Sequence, residues 1–171
     1  MVAFENGPEY REMMLQVNTR LGFSGSSQLN SQEIKTIWEF CRFEQGTNLQ
    51  VASAWCAAFS IANHAVLEYE NDLGYFYRAG YGGAPRRLYE NLNCNLMQDM
   101  LRYLQSTNPN DQLAKIFGTH STALQLFLVS LGVFNDANSL HRHNYAQQTF
   151  RQWKSSFLTP KGANLAVIRY E

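Results

Sequence analysis

The residues most able to do chemistry are His120, Ser121 and Thr122, which follow a short apolar run, Leu113–Phe117. If that run is a strand and a helix follows, His120 lies at the carboxyl edge of a sheet, where open α/β folds bind ligands. The free amides and partial positive charge of a helix start hold phosphate well. A histidine adds a hydrogen-bond donor or a charge. The pattern therefore predicts an anion site, with phosphate as the ligand.

Taken alone, the same junction also fits a structural role, because Ser and Thr are common helix N-caps and a single histidine often makes only structural hydrogen bonds. A zinc site is not expected. The chain has no Cys-x-x-Cys pair, and no histidine lies at metal-ligand spacing from Cys41, Cys56 or Cys94. Three cysteines cannot all pair within one chain, so one is free or bonds to sequence outside it.

The segment around His120 must be positioned by the rest of the chain, which begins with a predicted helical segment. Apolar residues recur with the 3.6-residue helical period up to about residue 105. Asn30 with Glu33 resembles a capping box, and the segment 80–85 is a glycine-rich loop. The predicted helices run from Pro8 to Leu21, from about Asn30 to Gln45, from Ser60 to Gly80 and from Leu88 to Leu104.

The character of the chain changes after residue 110. Leu113–Phe117 is predicted to be a buried strand, and Ala123–Leu131 a helix. Strands are expected at Phe150–Leu158 and Leu165–Tyr170, separated by turn residues. The predicted fold class is α/β, with a helical segment followed by an incomplete β-α-β-β part of a sheet. The predicted strand Leu113–Phe117 is apolar on both faces, and a sheet of at most three strands has too few elements to cover it. Its neighbours are therefore expected on missing sequence.

Composition narrows the functional classes. Hydrophobic residues make up 45% of the 171 residues, which excludes a disordered chain. Fourteen basic and fourteen acidic residues give zero net charge, so nothing favours a nucleic-acid partner. No apolar stretch is long enough for a membrane span, and the N-terminal residues lack the order of a signal peptide.

Several motifs, in their order and spacing, carry a resemblance to a known family. The clearest runs from Phe117 to Asp136, and the others include Phe4–Glu9, Ala54–Phe59, Leu67–Leu73 and Gly80–Gly82. Over nearly its whole length the chain resembles the C-terminal part of multiple inositol polyphosphate phosphatases. These enzymes form part of the histidine acid phosphatase group of the histidine phosphatase superfamily.

The resemblance implies an α/β phosphatase core with a mainly helical domain over the active site. Residues 1–110 would form the helical, lid-like domain, and residues 111–171 would form the C-terminal part of the core. The implied reaction removes phosphates from inositol polyphosphates such as phytate through a phosphohistidine, without metal or other cofactor. The resemblance also implies secretion or residence in the endoplasmic reticulum lumen, and cysteines at family positions suit such an oxidising compartment.

The resemblance assigns one catalytic residue in this chain, His120, which matches the second active-site histidine that holds the phosphate. Ser121 and Thr122 at the helix start are predicted to bind substrate. Arg86 and Arg87 follow the glycine-rich loop and are predicted to reach other phosphates of the substrate. A solvated surface pair is an equal alternative for these two arginines.

Two departures from the family pattern bear on activity. The nucleophile motif Arg-His-Gly-x-Arg is absent from these 171 residues, since Arg142-His143 continues with Asn144. Thr122 stands where the family has the glutamate of His-Ala-Glu, and a hydroxyl cannot serve as general acid near neutral pH. We therefore expect a fragment or truncated relative that is inactive without the missing N-terminal half of the core.

Two alternatives stay open at this point. One is a non-catalytic relative that binds inositol phosphates. The other is an unrelated helical interaction module, which a structure without a β-α step at 113–131 would favour.

Overall fold

A computed structural model describes residues 2–48, 50–108 and 110–170, and these residues form helices and irregular segments. The described residues contain no β-strand. Short 3-10 turns occur at Gly25–Ser27, Ala54–Ala58 and Tyr145–Gln148. The α-helices are α1 (Val2–Glu5), α2 (Pro8–Leu21), α3 (Ser31–Thr47), α4 (Ile61–Ala79), α5 (Arg86–Asn91), α6 (Cys94–Gln105), α7 (Ser121–Ser130) and α8 (Ser155–Leu158).

The chain divides into two compact units. The first unit contains Met1–Gly74 and His141–Thr149, and the second contains Tyr75–Leu140 and Phe150–Glu171. The boundary falls inside α4, which therefore supplies residues to both units. The predicted assignment of 1–110 to a lid-like domain and 111–171 to a phosphatase core stays a prediction.

The helices predicted from capping signals are confirmed. Helix α2 begins at Pro8, and Gly22 ends it in the left-handed region with φ of +79°. At the start of α3, Asn30 Oδ1 accepts the amides of Gln32 and Glu33 at 2.9 and 3.1 Å, while Glu33 accepts the Asn30 amide at 2.8 Å. These bonds satisfy donors that the first helical turn cannot pair within the helix.

The first unit has an apolar core between α2, α3 and α4. Its fully buried side chains include Tyr10, Val17, Ile34, Leu67 and Tyr69. A disulfide between Cys41 and Cys56 joins α3 to the 3-10 turn at Ala54–Ala58. Cys94 is free and exposed in this chain, so Cys41 and Cys56 are the two cysteines that pair within it.

An ion-pair network crosses the same core. Lys35 Nζ lies 2.8 Å from Glu5 Oε1 and 2.9 Å from Glu70 Oε1. Ser31 donates to the other Glu5 oxygen at 2.8 Å, which ties α1 to α3. Burial pushes the pKa of Glu5 upward, but hydrogen bonds from Lys35 and Ser31 and the charge of Lys35 outweigh it and hold that pKa below its usual value.

The single helix predicted over Leu88–Leu104 is wrong in one respect, because it is broken at Leu92 and Asn93 into α5 and α6. Asn93 has φ of −98° and ψ of +18°, outside the helical range. The Asn91 side chain donates to the Arg87 carbonyl. Asparagine competes for backbone groups in this way and favours turns over helix interiors.

The predicted β-α-β-β sheet is also wrong. Leu113–Phe117 and Leu165–Tyr170 are irregular, and Phe150–Leu158 forms an irregular stretch followed by α8. Leu113 and Ile116 are almost completely exposed, at 103% and 92%, although the apolar run predicted burial. A strand needs a neighbour to pair its backbone and cover its faces, and the described residues supply none.

Side chains hold the two irregular segments against α6 in place of a sheet ladder. Lys115 forms an ion pair with Asp99 of α6 at 2.6 Å. Arg169 donates to the carbonyls of Leu104 and Ser106, at the end of the same helix, at 2.8 and 2.7 Å. Cations at the C-terminal end of a helix satisfy carbonyls that have no intrahelical partner.

Candidate functional site

Helix α7 begins directly after His120, which is its N-cap residue. The His120 backbone is extended, with φ of −130° and ψ of +170°, and its carbonyl accepts the Leu124 amide at 3.0 Å. Its imidazole Nδ1 accepts the Ala123 amide at 3.4 Å. The ring is therefore directed at the start of α7, which is where the sequence analysis expected a phosphate-binding histidine.

The cap bond determines which ring nitrogen carries the proton. Because the Ala123 amide donates to Nδ1, that nitrogen presents a lone pair and the imidazole proton lies on Nε2. His120 is exposed to solvent. The neutral ring therefore offers one N–H donor from a position that an anion can reach.

Ser121 and Thr122 form the first turn of α7 and are half-buried. Their amides precede the first intrahelical hydrogen bond, which the Leu124 amide makes, so they are donors that the helix itself does not use. The Ser121 hydroxyl lies 3.5 Å from the Tyr75 hydroxyl of α4. Two amides, two hydroxyls and an imidazole N–H thus occupy one helix end, a donor set that suits an oxyanion.

The body of α7 is fixed by burial on its other side. Phe127, Leu128 and Val129 are buried. Gln125 is fully buried, and its amide donates to the Thr159 hydroxyl at 2.7 Å. The start of α7, which carries His120, therefore belongs to a helix that is held in place by its buried side.

Arg86 and Arg87, the other predicted substrate-binding residues, lie at the start of α5, which packs against α7. Arg86 forms an ion pair with Glu90 one turn later, at 2.8 Å, and lies 5.6 Å from the Tyr81 ring. Arg87 is exposed. The structure brings their helix to α7, but Glu90 already compensates the charge of Arg86.

The glycine-rich loop before α5 is closely packed. A β-carbon on Gly80 would lie 2.6 Å from the Trp153 ring, and one on Gly83 would lie 2.4 Å from the Tyr89 ring. Only glycine allows the backbone to approach the aromatic rings this closely. The loop therefore places α5 in a fixed position after α4.

Two residues near this helix end were missed by the sequence analysis. Tyr75 contacts Ser121, and the Arg78 guanidinium lies 4.6 Å from the centre of the Tyr75 ring. Their spacing of three residues on a helix places them on one face, which was a usable signal. The contact with Ser121, 46 residues away, was not visible in any local pattern.

The described ranges also bear on metal binding and on membrane insertion. No group of three or more His, Cys, Asp or Glu side chains there is arranged to hold a metal ion. None of the helices described has both the length and the apolar character that crossing a bilayer requires.

Comparison with known proteins gives one family. Residues 6–171 match the model of the histidine phosphatase superfamily, branch 2. Multiple inositol polyphosphate phosphatase 1 of Drosophila melanogaster is 38% identical over 98% of this chain and 34% of its own length. The proteins of the same name from Gallus gallus and Homo sapiens are 31% and 29% identical over 98% of the chain, which covers 38% and 35% of them. No solved structure gives a significant match.

The family resemblance predicted from the motifs is thus confirmed, and an unrelated helical interaction module is excluded although the β-strand before α7 is missing. The chain spans about a third of the length of the curated relatives it matches.

Proposed function

This chain belongs to branch 2 of the histidine phosphatase superfamily, and we propose that it provides the phosphate-holding histidine of a phosphomonoester hydrolase. The proposed substrates are inositol polyphosphates, which the names of its relatives indicate. In the complete protein, a nucleophilic histidine from the remainder of the phosphatase core would attack phosphorus and release the alcohol. Water would then break the phosphorus–nitrogen bond of the phosphohistidine.

The observation that carries this proposal is the placement of His120 at the N-cap of α7. Its Nε2–H is a donor beside the unused amides of Ser121 and Thr122. These groups suit the non-bridging oxygens of a phosphoryl group, whose charge is spread over them during transfer. Donors that are already oriented need no reorganisation when the charge develops.

The leaving oxygen needs a proton that this helix end does not supply. Thr122 carries a hydroxyl where the family pattern has a carboxylic acid, so its role is to donate to phosphate or to extend the helix start. The general acid of the complete protein is therefore another group.

A second candidate function is phosphate binding without catalysis. It is favoured by Thr122, which stands where the family pattern has a carboxylic acid. Binding alone requires only the donors at the start of α7. The two functions are separated by assaying the complete protein. Turnover that is lost in His120→Ala indicates a phosphatase rather than a binding protein.

An oxidising compartment, secreted or lumenal, is the proposed location. The disulfide between Cys41 and Cys56 supports it, because such bonds persist in secreted and endoplasmic reticulum proteins and are rare in the cytosol.

The first test of the proposal uses the 171-residue chain. We expect calorimetry to detect binding of inositol hexakisphosphate, with affinity reduced at least about tenfold by His120→Ala. The matched control is His143→Ala, which removes an exposed histidine of the first unit and should leave affinity unchanged. If His120→Ala binds inositol hexakisphosphate as tightly as the unmodified chain, His120 is not part of the binding site.

A phosphate-release assay on the same chain completes the test. We expect no turnover of inositol hexakisphosphate, because the nucleophile motif is absent from it. Release that disappears in His120→Ala would overturn the proposal that the isolated chain is inactive.

A further inference from the structure

Arg78 of α4, like Arg87 of α5, has no ion pair within the described residues, unlike the other cations of α3, α4 and α5. Lys35 is paired with Glu5 and Glu70, Arg42 with Glu39, and Arg86 with Glu90. Arg78 is exposed, and within the described residues no carboxylate lies within ion-pair distance of it. It is therefore a cation whose charge no carboxylate of the described residues compensates.

Arg78 is held by an aromatic ring. Its guanidinium carbon lies 4.6 Å from the centre of the Tyr75 ring, one turn earlier on α4, in a cation–π contact. Stacking restricts a long, flexible side chain, so less entropy is lost when the guanidinium binds a ligand. The ring thus orients the charge and leaves its hydrogen-bond donors unused.

The same ring connects Arg78 to the helix end that carries His120. The Tyr75 hydroxyl lies 3.5 Å from Ser121 Oγ, and Ser121 follows His120 directly. Arg78, Tyr75 and Ser121 all belong to the second unit. One tyrosine ring therefore separates the guanidinium from the first turn of α7.

We propose that Arg78 is a second phosphate-binding residue that makes the site selective for polyphosphorylated small molecules, with Tyr75 as its positioning residue. This inference rests on the proposed function, since it takes one phosphate to be held at His120. A guanidinium binds phosphate through two parallel hydrogen bonds. A cyclitol with phosphates on neighbouring carbons can place one phosphate at His120 and a second phosphate at Arg78. A single phosphate bound at His120 leaves Arg78 unused.

The test compares two probes on the 171-residue chain, inositol hexakisphosphate and inorganic phosphate. Arg78→Ala should weaken hexakisphosphate binding about tenfold and leave the affinity for inorganic phosphate unchanged. Arg78→Lys, which keeps the charge but loses the planar fork, should recover only part of the difference.

Two further variants separate charge from position. Arg102→Ala, at an exposed arginine of α6 in the same unit, is the matched control and should bind hexakisphosphate as the unmodified chain does. Tyr75→Leu removes the ring under Arg78 and should approach the effect of Arg78→Ala. Tyr75→Phe keeps the ring and should have a smaller effect.

The outcomes distinguish this inference from the proposed function. If Arg78→Ala binds hexakisphosphate normally while His120→Ala does not, Arg78 is not a phosphate ligand and the proposed function survives. Equal losses for both probes on Arg78→Ala would overturn the selectivity role. If the unmodified chain binds no hexakisphosphate, or if His120→Ala binds as tightly as it, both proposals fail together.

Discussion

The first and second units of this chain differ in how the starts of α3 and α7 use their hydrogen-bond donors. In the first, Lys35 is paired with two carboxylates and the helix start of α3 is closed by its capping box. In the second, the helix start of α7 keeps unused donors and Arg78 has no carboxylate partner among the described residues. A capped helix start has its donors already bonded, while unused donors at an exposed helix end are available for a ligand.

The units differ in apolar surface as well. Leu67 in the first unit is fully buried, whereas Leu113 in the second is fully exposed. Aromatic edge contacts occur in both units: they join Phe4 with Tyr10 and Tyr69 in the first, and Trp153 with Phe76 and Tyr81 in the second. Burial of this kind accounts for most favourable folding energy, so replacing a buried side chain should cost much more stability than replacing an exposed one.

The strongest test of the difference between buried and exposed apolar side chains is a matched pair of leucine substitutions. Leu67→Ala should lower the free energy of unfolding by about 3 kcal/mol, because it leaves a cavity in a closed core. Leu113→Ala should change it by less than about 0.5 kcal/mol, because that side chain is already in solvent. Urea denaturation of both variants measures the difference, and similar losses would contradict the distinction between the units.

The disulfide gives the next largest expected effect. Removing it with Cys41→Ser and Cys56→Ser should cost up to about 3 kcal/mol, because the bond closes a short loop and restricts the unfolded chain. Cys94→Ser, at the exposed free thiol of the second unit, is the control and should change stability by less than about 0.5 kcal/mol. If Cys94→Ser lost more stability than the double variant, the expected contribution of the disulfide would be contradicted.

The smallest expected effect concerns pH and again involves the first unit. The Trp38 indole donates to Nδ1 of His64 at 3.1 Å, and burial lowers the pKa of His64 from 6.5. The unfolded chain therefore takes up a proton first, so stability is full above pH 6.5 and falls as the pH drops toward the folded pKa. Urea midpoints measured at pH 7.5 and pH 5 should show this fall.

The control for this pH effect is His64→Gln, which cannot titrate in this range and keeps an acceptor for Trp38. Its urea midpoint should change less between the two pH values than that of the unmodified chain. An equal pH dependence in both proteins would assign the effect to other groups, such as the carboxylate of Glu5 at lower pH.

The features of this fold that local chemistry determines were predictable. Asn30 with Glu33, and Gly22 after Leu21, mark helix ends because their hydrogen bonds involve residues only a few positions away. The irregular conformation of Leu113–Phe117 was not predictable in the same way. An apolar run predicts burial only if other elements cover it, and in the described residues Leu113 and Ile116 remain exposed.

The candidate site shows the same division. The order of residues predicted that a helix starts just after His120, but with Ser121 or Thr122 as its N-cap, and the structure shows that His120 itself is the N-cap. Tyr75 was missed because its contact with Ser121 joins elements 46 residues apart. Arg78 was missed as well, because its contact with the Tyr75 ring is visible only in the structure.

The most direct test of the central claim compares two helix starts in one experiment, by titrating the isotopically labelled chain with inorganic phosphate and following its amide resonances. The donors at the start of α7 are open, whereas the Gln32 and Glu33 amides of α3 already donate to Asn30. We predict that the Ser121 and Thr122 amides shift with the His120 Nε2 resonance, while those of α3 stay in place. Equal shifts at both helix starts, or none at α7, would contradict a phosphate site at His120.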